Sequence, residues 1–152
     1  MAITQHGLIT PEEDADSAWW WDAVRRHELQ FPQCQTCGKF FFPPQPSCTH
    51  CGSTDWKPAA STGTGSLYTW IVVHVALDQR FAIDTPYTIV GVDLDDGVRM
   101  FGRLDDHMTP TEGLRLRATF YEVDGVTLVG FAAADPGSAG AVQDADRTTG
   151  KR

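Results

Sequence analysis

Five segments in the second half of the chain alternate between apolar and polar residues, with the period of two that is typical of β-strands. The turn sequences Asp95–Gly97 and Asp124–Gly125 separate two pairs of these segments and predict β-hairpins. A loop from Asp105 to Gly113 joins the third segment to the fourth. We therefore predict five strands, over residues 66–77, 86–94, 98–104, 114–121 and 126–133.

The first predicted strand has an apolar face and a polar-leaning face. The polar-leaning face carries Tyr68, Trp70 and His74, which we treat as candidates for lining a ligand site. A single histidine on a strand is, however, more often a structural residue than a ligand-binding one. The apolar residues predicted to share the other face are Leu67, Ile71, Val73, Val75 and Leu77.

A small sheet of this kind must protect its edge strands from pairing with other chains. Closing the sheet into a barrel removes the edges, and five strands suggest a barrel of the OB-fold type. The usual OB-fold has a helix between its third and fourth strands, whereas this chain has a nine-residue loop there. An open five-stranded sandwich is therefore kept as the alternative fold.

A helix is predicted ahead of the strands, from about residue 11 to residue 27. Thr10 can cap this helix, and a proline followed by two glutamates suits the first helical turn. Its middle carries Trp19, Trp20 and Trp21, which together cover about 200° of the helix surface. In one interpretation, one or two of these tryptophans simply pack on their own domain. In the other, the remaining tryptophans anchor a partner, because tryptophan is enriched at interface hot spots.

Four cysteines form two CxxCG motifs that are separated by ten residues. Each pair can bind a metal ion from one tight turn, and two such turns complete a tetrahedral shell of thiolates, which suits zinc. Gly38 and Gly52 follow the pairs, where the backbone needs a positive φ. Because all four positions are protein ligands, the predicted zinc is structural. The predicted ligands are Cys34, Cys37, Cys48 and Cys51.

Between the two motifs lies an apolar run of three phenylalanines, which is followed by two prolines. The run could form a buried strand beneath the metal site or an exposed apolar lip. We group it with the three tryptophans as a candidate partner interface, which comprises Trp19, Trp20, Trp21, Phe40, Phe41 and Phe42.

Composition restricts the class of protein. The chain has no other cysteines, no signal peptide and no apolar run long enough to span a membrane, which favours a metal site over secreted disulfides and predicts a cytoplasmic location. Its 12 basic residues are scattered among 20 acidic ones, and the net charge is −8. Nucleic-acid binding needs clustered lysine and arginine, so the charge disfavours nucleic acid as a partner.

These features divide the chain into four predicted segments. Residues 1–29 hold the helix, and residues 30–58 form the zinc ribbon. Residues 59–134 form the barrel, with a linker or turn at residues 59–65. Residues 135–152 are rich in small and polar residues and are expected to be disordered.

A search for catalytic motifs finds no GxSxG motif, no phosphate-binding loop and no dinucleotide-binding fingerprint. The cysteines are committed to the metal, and the paired aspartates lie in predicted turns. We therefore interpret the chain as a binding or assembly module and not as an enzyme by itself. Two other functions are considered: a single-stranded nucleic-acid binder that uses the aromatic residues of the barrel, and a rubredoxin-like electron carrier with iron in the four-cysteine site.

The order of these motifs resembles one known family. Residues 15–134 contain, in sequence, a helix with basic residues at its end, CxxCG, an aromatic-Pro-Pro segment, CxxCGS, the strand GSLYTWIVVH, Pro-Tyr and Asp-Asp-Gly. Together they resemble the acyl-CoA-associated proteins that join a rubredoxin-like zinc ribbon to a C-terminal OB-fold. Many relatives have an arginine after the paired prolines, where this chain has Gln45.

The resemblance implies that the chain works in a complex. Members of this family are typically non-catalytic partners of thiolase-fold enzymes, including thiolases and the lipid-transfer-protein-like aldolases of steroid side-chain degradation. The small subunit docks on the thiolase-fold dimer and helps to enclose the acyl-CoA, while the partner holds the catalytic residues.

For this chain, the resemblance implies a hetero-oligomer, as a dimer of heterodimers, with structural zinc on the four cysteines and no catalytic residue. It also implies a coenzyme A thioester as the ligand of the complex. The candidates for contacting the phosphates of that ligand are then Lys39, Lys57, Arg80, Arg99 and Arg103.

Overall fold

The computed structural model describes residues 11–76, 78 and 84–134. The predicted tail, residues 135–152, and the candidate ligand residue Arg80 lie outside the described residues. No helix among the described residues is long and apolar enough to cross a membrane. In chain order the elements are α1 (Ala18–Arg25), β1 (Gln30–Cys34), β2 (Trp56–Ala60), β3 (Thr64–Val73), β4 (Tyr87–Leu94), β5 (Arg99–Leu104), β6 (Arg115–Val123) and β7 (Val126–Ala133).

Helix α1 is shorter than predicted, because it begins at Ala18 and not near residue 11. The Asp14 carboxylate accepts hydrogen bonds from the backbone amides of Asp16 and Ser17, at 3.1 and 2.8 Å, and from the Ser17 hydroxyl at 2.6 Å. Local bonds of this kind stabilise a turn in place of a helix. The predicted helix start after Thr10 is therefore wrong.

The end of α1, at Arg25, lies two residues before the predicted end at His27. His27 has a φ of 58°, in the left-handed region. The backbone amides of His27 and Glu28 donate to the carbonyls of Val24 and Ala23, at 2.8 and 3.0 Å. These are the two bonds of a Schellman cap, which terminates a helix by satisfying its last carbonyl groups.

Strands β1 and β2 form the zinc ribbon as an antiparallel pair, with Cys34 opposite Trp56. Pairing with β1 extends β2 to Ala60, so the strand includes the first part of the segment that the composition predicts as a linker. The run of phenylalanines makes only one isolated bridge, from Phe40 to Gln33. Phe41 is nevertheless buried. The run is therefore neither a regular buried strand nor an exposed lip.

Strands β3 to β7 form a closed barrel in the order β3-β4-β5-β7-β6. Neighbouring strands are antiparallel except β5 and β7, which pair in parallel where Leu104 lies opposite Phe131. The barrel closes where Gly65 of β3 lies opposite Leu116 of β6. The predicted five-stranded OB-type barrel is confirmed, and the open sandwich is excluded. The loop at residues 105–113 contains no helix.

A β-bulge in β3 changes which residues face the core. Leu67 and Thr69 pair with consecutive residues of β4, so Tyr68 is an extra residue in β3. One extra residue exchanges the two faces of the strand beyond it. The predicted apolar face is therefore wrong at Ile71 and Val75, which are 61% and 77% exposed, and its last residue, Leu77, lies outside the described residues.

One apolar core connects the helix, the ribbon and the barrel. Trp20 of α1 and Phe31 of β1 belong to the same buried cluster as Val90 and Phe131 of the barrel. Because burial of apolar surface is the main favourable contribution to folding, these contacts dock α1 and β1 on the barrel. The other buried members of the cluster are Val24, Leu29, Leu67, Val92, Leu94, Val98, Met100, Leu104, Leu116 and Val129.

Candidate functional site

The two CxxCG turns bring four cysteine side chains together. All four Sγ atoms lie within 4.8 Å of one another, and the Cys34–Cys51 and Cys37–Cys48 sulfurs are 3.6 and 3.7 Å apart. Four sulfurs placed about 2.3 Å from one zinc ion in a tetrahedron would be about 3.8 Å apart. The sulfur positions therefore fit a zinc ion held by the four predicted ligands.

The backbone of each turn has the conformation that the glycines allow. Gly38 and Gly52 have φ values of 74° and 75°, and each donates its amide to the carbonyl of the first cysteine of its pair at 2.9 Å. The Cys37 amide donates to Cys34 Sγ at 3.5 Å. This bond, together with those from the Thr36 amide and from the Cys51 and Cys37 side chains, lowers the pKa of the Cys34 thiol to about 6, although burial acts to raise it. Cys34 is therefore prepared to act as a thiolate ligand at neutral pH.

Close contact between the sulfurs has the opposite effect on Cys51. The Ser53 amide acts to lower the pKa of Cys51, but burial and the neighbouring cysteines raise it to about 12. Adjacent thiolates repel one another, and a divalent cation between them removes that repulsion. The chemistry of the four cysteines therefore suits a divalent metal better than four free thiols.

The metal centre has a small apolar core of its own. Cys34 and Cys48 are buried together with Phe41, and Trp56 is partly buried beside them. The rings of Phe41 and Trp56 meet edge to face, with their centroids 6.2 Å apart. Four protein ligands leave no coordination position for water or substrate, so the site suits structural zinc.

The six residues predicted as a partner interface pack mainly against the chain itself. Trp20 and Phe41 are only 5% and 2% exposed, so the isolated chain does not offer their side chains to a partner. The short helix finds its own domain to pack on because β1 and the barrel form one continuous core with it. The other four residues are partly buried against that core, and they are Trp19, Trp21, Phe40 and Phe42.

A cavity of about 460 Å³ lies between α1, the ribbon and the barrel. Trp20 and Trp21 line it from the helix, and Phe42 lines it from the ribbon. The Trp20 indole Nε1 is buried and has no hydrogen-bond partner among the described residues. The barrel side of the cavity includes Tyr87, Ile89, Phe101, Arg103, Tyr121 and Leu128.

Arg103 lies between this cavity and a second one of about 390 Å³. Its guanidinium donates to the carboxylates of Asp84 and Asp106, each at 3.1 Å, and lies 5.1 Å from the centroid of the Tyr87 ring. Tyr121 also lines both cavities, and burial raises its pKa.

Sequence reasoning missed both cavities. The alternation along β5 and β6 predicts that Arg103 and Tyr121 face outwards, which was a usable signal. What brings these side chains together is the strand order of the barrel, in which β7 lies between β5 and β6. A strand order of this kind depends on pairings between distant parts of the chain, which no local pattern specifies.

The residues predicted to line a ligand site do not share one surface. Tyr68 is the bulged residue, and the Arg99 guanidinium lies 3.5 Å from the centroid of its ring. Trp70 follows the bulge and lies opposite Val90, on the side of β4 that faces the core. The remaining predicted residues are His74 and Lys39, which are both exposed, and Arg80, which lies outside the described residues.

Two family profiles match consecutive parts of the chain. The profile of the rubredoxin-like zinc ribbon domain of ChsH2 matches residues 21–57. The profile of the C-terminal OB-fold domain of ChsH2 matches residues 58–121. The first range contains all four cysteines, and the second contains most of the barrel.

Three curated proteins are similar in sequence. A probable enoyl-CoA hydratase alpha subunit from Thermomonospora curvata is 35% identical over 94 residues, which are 62% of this chain and 29% of that protein. A 3-oxo-4,17-pregnadiene-20-carboxyl-CoA hydratase alpha subunit from Mycobacterium tuberculosis is 29% identical over 117 residues, which are 76% of this chain and 37% of that protein. The chain therefore spans well under half the length of these two relatives. A DUF35 domain-containing scaffold protein from Methanocaldococcus jannaschii is 31% identical over 121 residues, which are 74% of this chain and 84% of that protein.

A solved structure supports the same assignment. A chain of the Ltp2-ChsH2(DUF35) aldolase matches with a TM-score of 0.73 and 31% sequence identity, over 83% of this chain and 100% of that chain. The two profiles, the scaffold relative and this structure agree on a zinc ribbon followed by an OB-fold. The chain therefore belongs to the DUF35 family of proteins, which includes the zinc ribbon and OB-fold domains of ChsH2.

Proposed function

We propose that the chain is a non-catalytic accessory subunit that docks on a thiolase-fold enzyme and helps to form or enclose its acyl-CoA site. The complex supports carbon–carbon bond cleavage or formation, as in a thiolase or a retro-aldolase. The observation that carries this proposal is the likeness to the Ltp2-ChsH2(DUF35) aldolase, which extends over the whole of the matched chain. The relative that is named as a scaffold protein supports the non-catalytic part.

The metal centre supports a division of labour with the partner. A zinc ion with four protein ligands has no open position from which to activate water or polarise a carbonyl group. The zinc of this chain therefore stabilises the fold of the ribbon, and the catalytic groups belong to the enzyme subunit.

The phosphates of coenzyme A need cations, whereas this chain has a net charge of −8. The charges of the chain therefore support a partner that binds these phosphates. Lys39, Lys57 and Arg80 stay the candidates that this chain contributes, and we assign most of the positive charge to the enzyme subunit. Five of the six described arginines lie within 4 Å of a carboxylate of this chain, and the sixth is Arg117. The five are Arg25, Arg26, Arg99, Arg103 and Arg115.

Steroid side-chain degradation is the specific case that we propose. The Mycobacterium tuberculosis relative is named for a pregnadiene carboxyl-CoA, which has a bulky, apolar acyl group. The cavity of about 460 Å³ is lined mainly by aromatic and aliphatic side chains, such as Trp21, Phe101 and Leu128. A lining of this kind suits an apolar group better than a charged one.

Exposed aromatic residues on the barrel favour one alternative function, the binding of single-stranded nucleic acid by base stacking. Such a site combines aromatic residues with cations that are free to contact phosphates. Arg99 is the cation beside Tyr68, but it donates to the Asp93 carboxylate at 2.6 Å. This pairing supports a protein partner over an oligonucleotide.

Native mass spectrometry tests the proposed function. The full chain is expressed alone and together with each thiolase-fold protein that is encoded in the same genome. We expect a dimer of heterodimers with one zinc ion per small chain, and acyl-CoA carbon–carbon bond activity in the complex but not in the small chain alone. A zinc-loaded chain that binds none of these partners would contradict the proposal.

A further inference from the structure

The large apolar side chains that are exposed among the described residues lie in one region of the barrel. Five of them fall at the end of β3 and directly after it, and the sixth lies on β5. Their exposed fractions range from 39% for Trp70 to 77% for Val75. We call this group the β3 patch, and its members are Tyr68, Trp70, Ile71, Val72, Val75 and Phe101.

Phe101 is continuous with β3 because a glycine lies between them. Gly91 of β4 pairs with Thr69 on one side and with Phe101 on the other. A Cβ atom on Gly91 would lie 2.8 Å from the Phe101 ring and 3.1 Å from the Thr69 methyl group. The Phe101 ring therefore lies across the bare backbone of Gly91 and reaches towards β3, on the same face of the sheet as Thr69 and Ile71.

In the part of the chain that the structure describes, the end of β3 also has a free edge. β3 pairs with β6 only from Thr64 to Ser66, and backbone bonds from Leu67 to the loop before β6 extend this contact slightly. On its other side, β3 pairs with β4 as far as Val73. Among the described residues, no strand pairs with the outer edge of residues 68–73.

This edge lacks the usual protection against association. Edge strands commonly carry charged residues or proline, but the segment Tyr68–Val73 has the sequence YTWIVV and contains neither. The bulge at Tyr68 leaves Trp70 and Val72 exposed on one face and Ile71 exposed on the other. An uncharged strand that is exposed on both faces and along one edge is a surface for another protein to cover.

We propose that the β3 patch is the surface on which the enzyme subunit docks, with an extended apolar segment of that subunit pairing along the free edge of β3. This inference rests on the proposed function and adds the place of contact to it. Strand addition supplies main-chain hydrogen bonds, while alternate side chains supply specificity. Tyr68, Trp70 and Phe101 are aromatic, and aromatic residues are enriched in the buried centres of interfaces.

Charge favours the enzyme subunit over two other occupants. A second copy of this chain would bring the same net charge of −8, which opposes close association of two identical subunits. A nucleic acid would need free cations beside the aromatic side chains, whereas Arg99 is paired with Asp93. An apolar, uncharged protein segment is the occupant that fits both observations.

The test measures the affinity between zinc-loaded small chain and the co-purified thiolase-fold subunit, by isothermal titration calorimetry. The variants are Ile71→Lys and Val75→Lys, which place a charge on the patch at exposed positions. Thr54→Lys adds the same charge at an exposed position of the zinc ribbon and is the matched control. Zinc content and the midpoint of thermal unfolding of each variant should equal those of the wild type.

We expect both patch variants to raise the Kd by about tenfold or more, and the control to change it by less than about twofold. If the enzyme subunit bound the patch variants as tightly as it binds the wild-type small chain, the proposed docking surface would be overturned. The proposed function would then remain intact. Equal weakening by Thr54→Lys would also overturn it. Absence of any wild-type complex would overturn the proposed function and this inference together.

Two further results would assign the patch to another occupant and so overturn the inference. The first would be light scattering in which the isolated wild-type chain is a dimer and the Ile71→Lys variant is a monomer. This result would identify a second copy of the chain as the occupant of the patch. An oligonucleotide mobility shift that disappears in the same variant would identify a nucleic acid.

Discussion

The zinc ribbon and the barrel are stabilised in different ways. The ribbon's own buried cluster contains Cys34, Phe41 and Cys48, with Trp56 partly buried beside them. The barrel has a closed set of strand pairings and a much larger apolar core. A core as small as that of the ribbon cannot fold a segment alone, so metal binding supplies its folding free energy, whereas apolar burial supplies that of the barrel.

The two regions are nevertheless joined through β1. Cys34 at the end of β1 belongs to the metal centre, while Phe31 in the same strand is buried in the core of the barrel. The zinc ion therefore affects the barrel indirectly, because it holds β1, the strand that covers one side of the barrel. The metal site therefore shapes the surroundings of the large cavity, which Phe42 of the ribbon lines, although none of the four cysteines lines it.

Loss of zinc should have the largest effect and should separate the two regions. Cys51→Ser deletes one ligand, and structural zinc contributes an apparent binding free energy of about 10–16 kcal/mol in small zinc-finger peptides. We expect this variant to lose the metal and the hydrogen-exchange protection of β1 and β2. The amides of β4, β5 and β7 should stay protected, because their partners belong to the barrel.

The matched control for this variant is Cys51→His. Shells of three cysteines and one histidine also bind zinc, and Cys51 is exposed enough to be replaced by the larger imidazole. This control should keep both the zinc and the protection of the ribbon. If Cys51→Ser also removed protection throughout the barrel, the two regions would be one metal-dependent unit.

Truncation in the barrel core should cost stability whether or not zinc is bound. Phe131 is 1% exposed, and a Cβ atom on Gly102 would lie 3.0 Å from its ring. We expect Phe131→Ala to lower the free energy of unfolding by about 3–5 kcal/mol in urea titrations, with zinc and after chelation. Phe101→Ala removes the same atoms from an exposed position and should cost less than about 1 kcal/mol. Similar losses in the two variants would argue against the described core.

Truncation in the ribbon should depend on the metal. Phe41 packs against Cys34 and Cys48, so Phe41→Ala should cost about 3 kcal/mol in the zinc-loaded protein and weaken zinc in a competition with a chelator. After chelation the same change should have almost no effect on the remaining transition, because the ribbon is already unfolded. A cost that persisted in the chelated protein would show that Phe41 stabilises the barrel directly.

The smallest expected effect concerns an ion pair on the barrel surface. Hydrogen bonds from the Arg115 guanidinium, and then from the Thr64 hydroxyl, lower the pKa of Asp95 to about 2 from its usual 3.8. A depressed pKa in the folded state means that the stabilisation is fully present above about pH 4 and is lost as the pH falls towards 2. Asp95→Asn should therefore lower the unfolding midpoint slightly at pH 7 and by less near pH 2, where the carboxylate is about half protonated.

The readout for this variant is the thermal midpoint of the barrel signal, since acid also releases zinc from thiolates. Asp16→Asn removes another exposed carboxylate and controls for the change in net charge. The same difference between wild type and Asp95→Asn at pH 2 and pH 7 would show that the ion pair contributes nothing. An NMR titration of the Asp95 carboxyl carbon measures the pKa directly.

Local patterns predicted much of the fold and the metal site. The spacing of Cys34, Cys37, Cys48 and Cys51 is sufficient to predict a metal centre, because each pair closes its turn within a few residues. The alternation of β4 to β7 and the hairpin turns likewise depend on neighbouring residues. A closed barrel followed from the number of strands and from the need to protect their edges.

Competition between neighbouring residues explains the shortened helix. The sequence predicts a helix start after Thr10, but the Asp14 carboxylate accepts hydrogen bonds from the amides of Asp16 and Ser17 and holds this segment in a turn. The exchanged faces of β3 have a different cause. The bulge at Tyr68 lies just beyond the residues at which β3 pairs with β6, in a part of β3 that continues to pair with β4, and neither partner strand is adjacent to Tyr68 in the sequence.

The metal ligands, the strand alternation and the family could be predicted from residue types at short and regular spacings. Three features became visible only in the folded chain: Trp20 and Phe41 are buried, Tyr87, Arg103 and Tyr121 share a cavity, and the end of β3 is an exposed apolar edge of the described barrel. Each of these depends on which distant elements pack together. Packing of that kind is set by the total burial of apolar surface and by strand order, and neither is written in a local pattern.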